Sequence, residues 1–382
     1  MDAAKKKTVY LHIGSPKTGT SALQYFLLQN QQILSQKGFY YPTHNVDANR
    51  ISSGNAKVLA DFIKGDTEQG KSLISDIINT NLMNIILSSE QLYHTKDEKI
   101  GTLKDILGQM DIKIIIYLRR QDSMLSSLYQ QRIKRFQSNV KMDVWLSENY
   151  QKHIPSNRIE KWAQVFGKEN IIIRPYEQQQ FKGGTIFSDF LDMFNLELTE
   201  EFVLPHEKIN PAYRIDALEA MRLFNILPLT HYTLLLDILL QQFSSSYGKQ
   251  GDWPYELMSP EKQMQICEYY DEHNARIARS YLGRQDGRLF YDPVPGPEQP
   301  WKPYPGLSKQ AIRNIIAYIE EHDDIIFLEI AKVVTKGLHS DDVTVKQAAK
   351  TLSLGFKIFR RRYEILKEKT ANILHSKVNV AG

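Results

Sequence analysis

The stretch Val9-Tyr10-Leu11-His12-Ile13-Gly14-Ser15-Pro16-Lys17-Thr18-Gly19-Thr20-Ser21 decides how the fold begins. Val9 to Ile13 is a short apolar-leaning run that stops at Gly14, and a loop of small residues follows. Leu23, Phe26, Leu27, Ile33 and Leu34 then recur with the 3.6-residue period of a helix face. Strand, small-residue loop and helix in that order let successive backbone N–H groups converge on an anion, so the segment outlines a phosphate cradle. Gly38 supplies a stop for the helical stretch, and Tyr41-Pro42 begins something extended.

A kinase-type loop reads G-x-x-x-x-G-K-[ST], with the lysine directly before the Mg²⁺-binding hydroxyl residue. Here Thr20 stands in the lysine slot. Lys17 sits inside the loop instead, where its ammonium could reach the bridging oxygen between a phosphate and a group being transferred. A lysine so placed supplies charge that a metal otherwise supplies, so no metal is expected to be required. The sequence has neither a Cys/His ligand cluster nor H-E-x-x-H spacing.

Further short apolar runs occur at Ile85-Ile86-Leu87, Ile112 to Leu118 and Ile171-Ile172-Ile173. They lack alternation, as parallel strands covered on both faces do. Helical patterns separate them, which predicts an α/β fold: a P-loop-like parallel sheet flanked by helices, with ligands at the carboxyl ends of the strands. From about Glu200 the pattern turns helical. Six of the fifteen prolines fall between Pro293 and Pro305, a density that excludes regular helix or central strand. The expected organisation is a domain over 1–292 with its nucleotide-binding core at about 8–195, a Pro-rich linker at 293–306, and a mainly helical C-terminal extension over 307–382. In that extension Leu352, Phe356, Phe359, Tyr363, Leu366 and Ile373 follow heptad-like spacing.

The chain of 382 residues is 42% hydrophobic, enough for a sizeable core. Its 48 basic and 44 acidic residues give a net charge of +4, too even a mixture for the concentrated footprint of a nucleic-acid binder. A single cysteine, Cys267, cannot form an intrachain disulfide and reads as a buried inert thiol. Lys5, Lys6 and Lys7 precede an apolar run too short for a signal peptide, and no stretch approaches the roughly 20 apolar residues of a membrane span. The expectation is a soluble, cytoplasmic protein.

Pro16-Lys17-Thr18-Gly19-Thr20-Ser21 resembles the 5′-phosphosulfate loop of the sulfotransferases that use 3′-phosphoadenosine 5′-phosphosulfate (PAPS). The resemblance implies that Lys17 contacts the transferred group and that Thr18, Gly19, Thr20 and Ser21 hold the 5′-phosphate. The family holds the 3′-phosphate with an arginine at a strand end and a serine eight residues on. Arg119 and Ser127 match that spacing, although Arg120 stands where many members have asparagine. A guanidinium fork suits a phosphate, and a serine hydroxyl adds a donor. A late family loop is echoed imperfectly by Ser246-Tyr247-Gly248-Lys249-Gln250-Gly251-Asp252-Trp253, for which an ordinary turn is the better reading. The likeness is strongest over residues 8 to 195 and weaker over Asn210 to Pro293, where Asn274 to Phe290 is similar to the closing segment of bacterial members.

Transfer to a hydroxyl needs a proton acceptor at a strand end facing the phosphate loop. Glu90 ends the run Ile85-Ile86-Leu87-Ser88-Ser89-Glu90, where the glycosaminoglycan-modifying branch of the family places a glutamate base. His94, a turn further, is the alternative, and His12 within the first strand reads as a core histidine. The resemblance implies a sulfotransferase that uses PAPS, releases its desulfated product PAP and acts on a carbohydrate or glycolipid hydroxyl. The acceptor pocket is expected in loops around Tyr93, Lys134, Arg135 and Tyr150. Two other classes stay open at this stage: a P-loop kinase or nucleotide hydrolase, and a PAP-binding module without catalysis. The basic stretch Lys357, Arg360-Arg361-Arg362, Lys367 and Lys369 suits a solvated or self-associating helix face, with a peripheral membrane surface or charged glycan as alternatives.

Overall fold

In a computed structural model describing residues 6–46, 52–65, 67–135, 137–205, 213–247 and 255–356, Thr8–His12 forms the central strand β1. Phe39–Tyr40 (β2), Asn84–Ser88 (β3), Asp111–Leu118 (β4) and Ile171–Pro175 (β5) complete a five-stranded sheet in the order β2-β3-β1-β4-β5. Every pairing is parallel.

Side chains alternate across a strand, and both faces of this sheet are covered. Val9, Leu11, Ile85, Leu87, Ile114, Ile116 and Ile173 pack on one side, with Leu103, Leu107, Ile159 and Trp162 from the helices Asp97–Leu107 and Pro155–Phe166. Ile86, Ile115 and Tyr117 face the other side, against Leu23, Phe26 and Leu27 of the helix Thr20–Gln29 and Phe190 of Ile186–Asp192. Two-sided burial is why the strands read as unbroken apolar runs. Each fully buried residue of this kind contributes roughly 1.5–3 kcal/mol of transfer free energy.

By their contacts the residues divide into two units: Met1–Leu125, Asn149–Asn210 and Gln263–Gly296, then Ser126–Glu148, Pro211–Lys262 and Pro297–Gly382. The first contains the sheet. In the second, the helices Lys309–His322, Asp324–Gly337 and Val343–Phe356 follow one another, capped at Ser308 and Asp323 by side-chain oxygens that accept from Ala311 N and Ile326 N. Gly355 is needed there for packing: a Cβ would lie 2.5 Å from Ile316 Cγ1. Within the proline-rich stretch, Lys302–Pro303 pairs with Tyr255–Glu256 as a two-residue parallel ladder. Leu352 is buried in its helix. The heptad-like positions beyond Phe356, the basic stretch from Lys357 and the Gly248–Trp253 part of the late loop lie outside the described residues.

Candidate active site

Because β1 lies between β3 and β4, the chain leaves these three neighbouring strands at one edge of the sheet, where parallel folds bind ligands. The loop 14–19 follows β1, Glu90 follows β3, and Arg119 follows β4. Tyr176 follows β5, its N–H donating to Leu118 O.

The loop is built from left-handed backbone. Gly14, Lys17 and Gly19 have φ of 58°, 67° and 72°. Lys17 is the instructive one, since a side chain at that φ is uncommon and marks a backbone held by its surroundings. The helix Thr20–Gln29 starts at Gly19 with no side-chain cap, so its first N–H groups face the loop's concavity without an internal acceptor. A Cβ on Gly19 would come within 3.1 Å of the Tyr176 ring, and one on Gly14 within 2.7 Å of Thr20 Cγ2. Close packing and a left-handed backbone thus both favour glycine at the two ends of the loop.

The hydroxyls divide their work. Thr18 Oγ1 donates to Ser15 O at 2.7 Å and closes the loop from inside. Thr20 Oγ1 donates to Glu90 Oε2 at 3.0 Å, bringing the half-buried carboxylate over the helix start. Beneath it, buried His12 Nδ1 lies 2.9 Å from Ser88 Oγ, to which Gln24 Nε2 also donates at 3.1 Å. Burial holds the His12 imidazole down to about 3, which makes it a neutral core group.

Arg119 and Arg120 diverge. Arg119 Nη1 donates to Lys17 O at 3.1 Å, its Nε donates to Ser123 Oγ at 2.9 Å, and its guanidinium stands 5.8 Å from the Tyr176 ring centre. Burial lowers its pKa from the ordinary value, a shift that leaves an arginine charged at neutral pH. Arg120 instead grips Asp122 through Nε and Nη2, each at 2.9 Å, and donates Nη1 to the carbonyls of Asp292 and Pro293. Ser127 lies on the helix Gln121–Arg135, a turn beyond Ser123, in the stretch assigned to the second unit. Ser123 and Tyr176 are contributors that the sequence reading missed. Ser123 was legible as an i+4 partner of Arg119, and Tyr176 as the residue that follows a fourth strand at the same edge.

His94 ends the short turn Glu90–His94 and lines a cavity of about 300 Å³ together with Ser15, Pro16 and Arg119. Packing around the imidazole, and then the Arg158 charge, hold its pKa below the usual value, so it is neutral at pH 7. Arg158 braces this turn by donating Nε to Tyr93 O and Nη2 to Thr95 O. Of the other expected acceptor residues, Tyr93 lines the cavity, and Tyr150 O accepts from the Tyr270 hydroxyl. Lys134 and Arg135 belong to the second unit, where Lys134 Nζ sits 3.9 Å from the Tyr213 ring centre and Arg135 Nε 3.6 Å from Asp237 Oδ2.

No family model matches the chain. A protein of Archaeoglobus fulgidus, described only as uncharacterized, is 25% identical over 212 residues, covering 53% of this chain and 55% of its own length. The chain thus spans about half the length of the curated relative it matches. A solved sulfotransferase structure from Alicyclobacillus acidocaldarius is similar over 61% of this chain and 95% of its own, with 13% identity and a TM-score of 0.34. Among the described residues no helix is long and apolar enough to cross a membrane.

Proposed function

We propose that the chain is a sulfotransferase that moves a sulfuryl group from PAPS to a hydroxyl of an acceptor, a carbohydrate or glycolipid, and releases PAP. The observation that carries this reading is the convergence of the loop, Glu90 and Arg119 at adjacent strand ends, tied by the Thr20–Glu90 and Arg119–Lys17 hydrogen bonds. The residues fit the donor: a glycine-bounded cradle with free helix N–H groups suits the 5′-phosphosulfate, and a buried arginine suits a second phosphate. In this reading Lys17, Thr18, Gly19, Thr20 and Ser21 hold the 5′ end. Arg119 with Ser123 takes the 3′-phosphate, and Ser127 is the residue that the resemblance adds.

PAPS supplies an activated sulfuryl group: the acceptor oxygen–sulfur bond forms as the sulfur–oxygen bond to the 5′-phosphate breaks, and PAP leaves with that electron pair. Glu90 takes the hydroxyl proton, with the Thr20 hydroxyl holding its carboxylate in place. Lys17 and the helix-start N–H groups offset the negative charge gathering on the departing phosphate. His94 is neutral and so protonation-competent, but Glu90 carries the closer tie to the loop.

Calorimetry with PAP, AMP and Mg²⁺-ATP, followed by transfer of labelled sulfate from PAPS to a panel of glycans, glycolipids and phenols, tests the proposal. PAP is expected to bind far more tightly than AMP, since Arg119 would serve the 3′-phosphate. Equal affinities for PAP and AMP, or tight Mg²⁺-ATP binding without PAP binding, would overturn the donor assignment in favour of a kinase-like protein. PAP binding with no transfer to any acceptor would mark a binding module.

A further inference from the structure

Arg119 aside, the cavity beside the loop gathers positive charge that the donor reading does not use. One wall is Ser15 and Pro16, another is Tyr93 and His94, and a third is Lys152 to Pro155 with Arg158 and Lys161 from the first turns of the helix Pro155–Phe166. Four formally cationic side chains line it, Arg119, Lys152, Arg158 and Lys161, and no aspartate or glutamate does. Asp97, outside the lining, answers two of them, 2.6 Å from Lys161 Nζ and 3.4 Å from Arg158 Nη1.

Arg158 is further occupied by the carbonyls of Tyr93 and Thr95, which fixes its position and leaves its charge in the wall. Lys152 has only the Asn149 side-chain oxygen, at 3.4 Å, and forms no ion pair among the described residues. His153 completes the wall; burial first, and then His94 and Lys152, hold its pKa below the usual value, as expected of an imidazole already set among positive charge. One carboxylate shared by two of the four cations leaves the concavity with an excess of positive charge, which raises its affinity for an anion.

We propose that this cavity receives the acceptor, and that the acceptor carries a fixed negative charge, a carboxylate or a sulfate or phosphate ester on a saccharide, with Lys152 and Lys161 as its specificity determinants. The inference rests on the sulfotransferase reading. Pro16 and Lys17 are adjacent in the loop, so an acceptor seated against Pro16 lies beside the residue assigned to the transferred group. The positive wall sets which molecules enter, while Glu90 acts on the hydroxyl.

The test is calorimetry on the full chain with PAP present, using trigalacturonate, a sulfated disaccharide and neutral maltotriose as probes. PAP binding is measured separately, on wild type, Lys152→Ala, Lys161→Ala and the double Lys152→Gln/Lys161→Gln. Anionic probes are expected to bind and maltotriose to bind at least about tenfold more weakly, with the double variant losing roughly tenfold for the anionic probes and little for PAP. The uronate and the sulfate ester arms tell which anion is preferred. Equal binding of maltotriose and the anionic probes, or no binding of either anionic probe, would overturn the proposal. So would loss of PAP affinity in the lysine variants with anionic-saccharide binding unchanged, which would make the cavity part of the donor site. Failure of PAP to bind wild type while the anionic probes bind would sink the donor reading and leave the anion site standing. Far-ultraviolet circular dichroism on each variant separates these outcomes from misfolding, and the glutamine double keeps side-chain bulk if an alanine variant fails to fold.

Discussion

Arg120 holds Asp122 through the Nε–Nη2 edge of its guanidinium and reaches with Nη1 to the carbonyls of Asp292 and Pro293, while Arg119 turns to the loop carbonyl of Lys17. Replacing the two should therefore have different consequences. Arg119→Ala is expected to weaken PAP binding by the roughly 1.5–3 kcal/mol of a charge-assisted contact and to leave the melting temperature nearly unchanged. Arg120→Ala should spare PAP and lower the melting temperature, because it leaves a buried Asp122 without its partner. Calorimetry and thermal melts on both variants check this, and a reversed pattern would shift the assignment by one residue. Glu90→Gln keeps the size of the side chain but cannot take a proton. Turnover at saturating donor and acceptor should fall by about 10²–10⁴-fold with PAP affinity retained. An unchanged rate would move the base to His94.

At the scale of the element, the turn Glu90–His94 is only as well placed as its brace. Arg158 on the helix Pro155–Phe166 donates to the carbonyls of Tyr93 and Thr95, so it acts on Glu90 through the backbone of the turn. Arg158→Leu is expected to lower kcat with PAP affinity unchanged, and Arg158→Lys to restore part of the rate. A merely structural role would instead show equal melting-temperature loss in both variants and no rate recovery in the lysine one. Glu177 performs a comparable service at the end of β5. Its buried carboxylate accepts from the N–H groups of Tyr291 and Asp292 at 2.7–3.0 Å and ties the Asn274–Phe290 segment's end to the sheet edge.

For the whole molecule, pH stability should carry the signature of His12. Its imidazole has a folded pKa of about 3 against about 6.5 in an unfolded chain, so the unfolded state binds the proton more readily. Stability is thus fully present above the unfolded value and declines as pH falls toward the folded one, by up to about 1.4 kcal/mol per pH unit. Urea unfolding between pH 7 and 5, above the range where most carboxylates titrate, should show that slope, and His12→Asn should reduce it. A slope unaltered in His12→Asn would assign the effect to other histidines, of which His44, His94 and His153 also have lowered pKa values.

Much of this architecture was legible because it is written in local pattern. The uninterrupted apolar runs, the glycine-bounded loop and the helical period after it determine strands, cradle and sheet class without reference to distant residues. Glu90 and Arg119 were legible as strand-end residues because parallel strands export their carboxyl ends to one edge. Their partners were not: that Thr20 meets Glu90, that Arg119 takes Ser123 and Lys17 O, and that Arg120 turns away depend on the strand order β2-β3-β1-β4-β5 and on rotamers chosen by packing. The same holds for the cationic cavity. Lys152 in a turn and Arg158 and Lys161 on the following helix are ordinary charges in the sequence, and only the folding of this segment beside the loop gives them a common concavity to face. Periodicity is a short-range property of the chain, whereas electrostatic convergence is a property of distances that only tertiary packing sets.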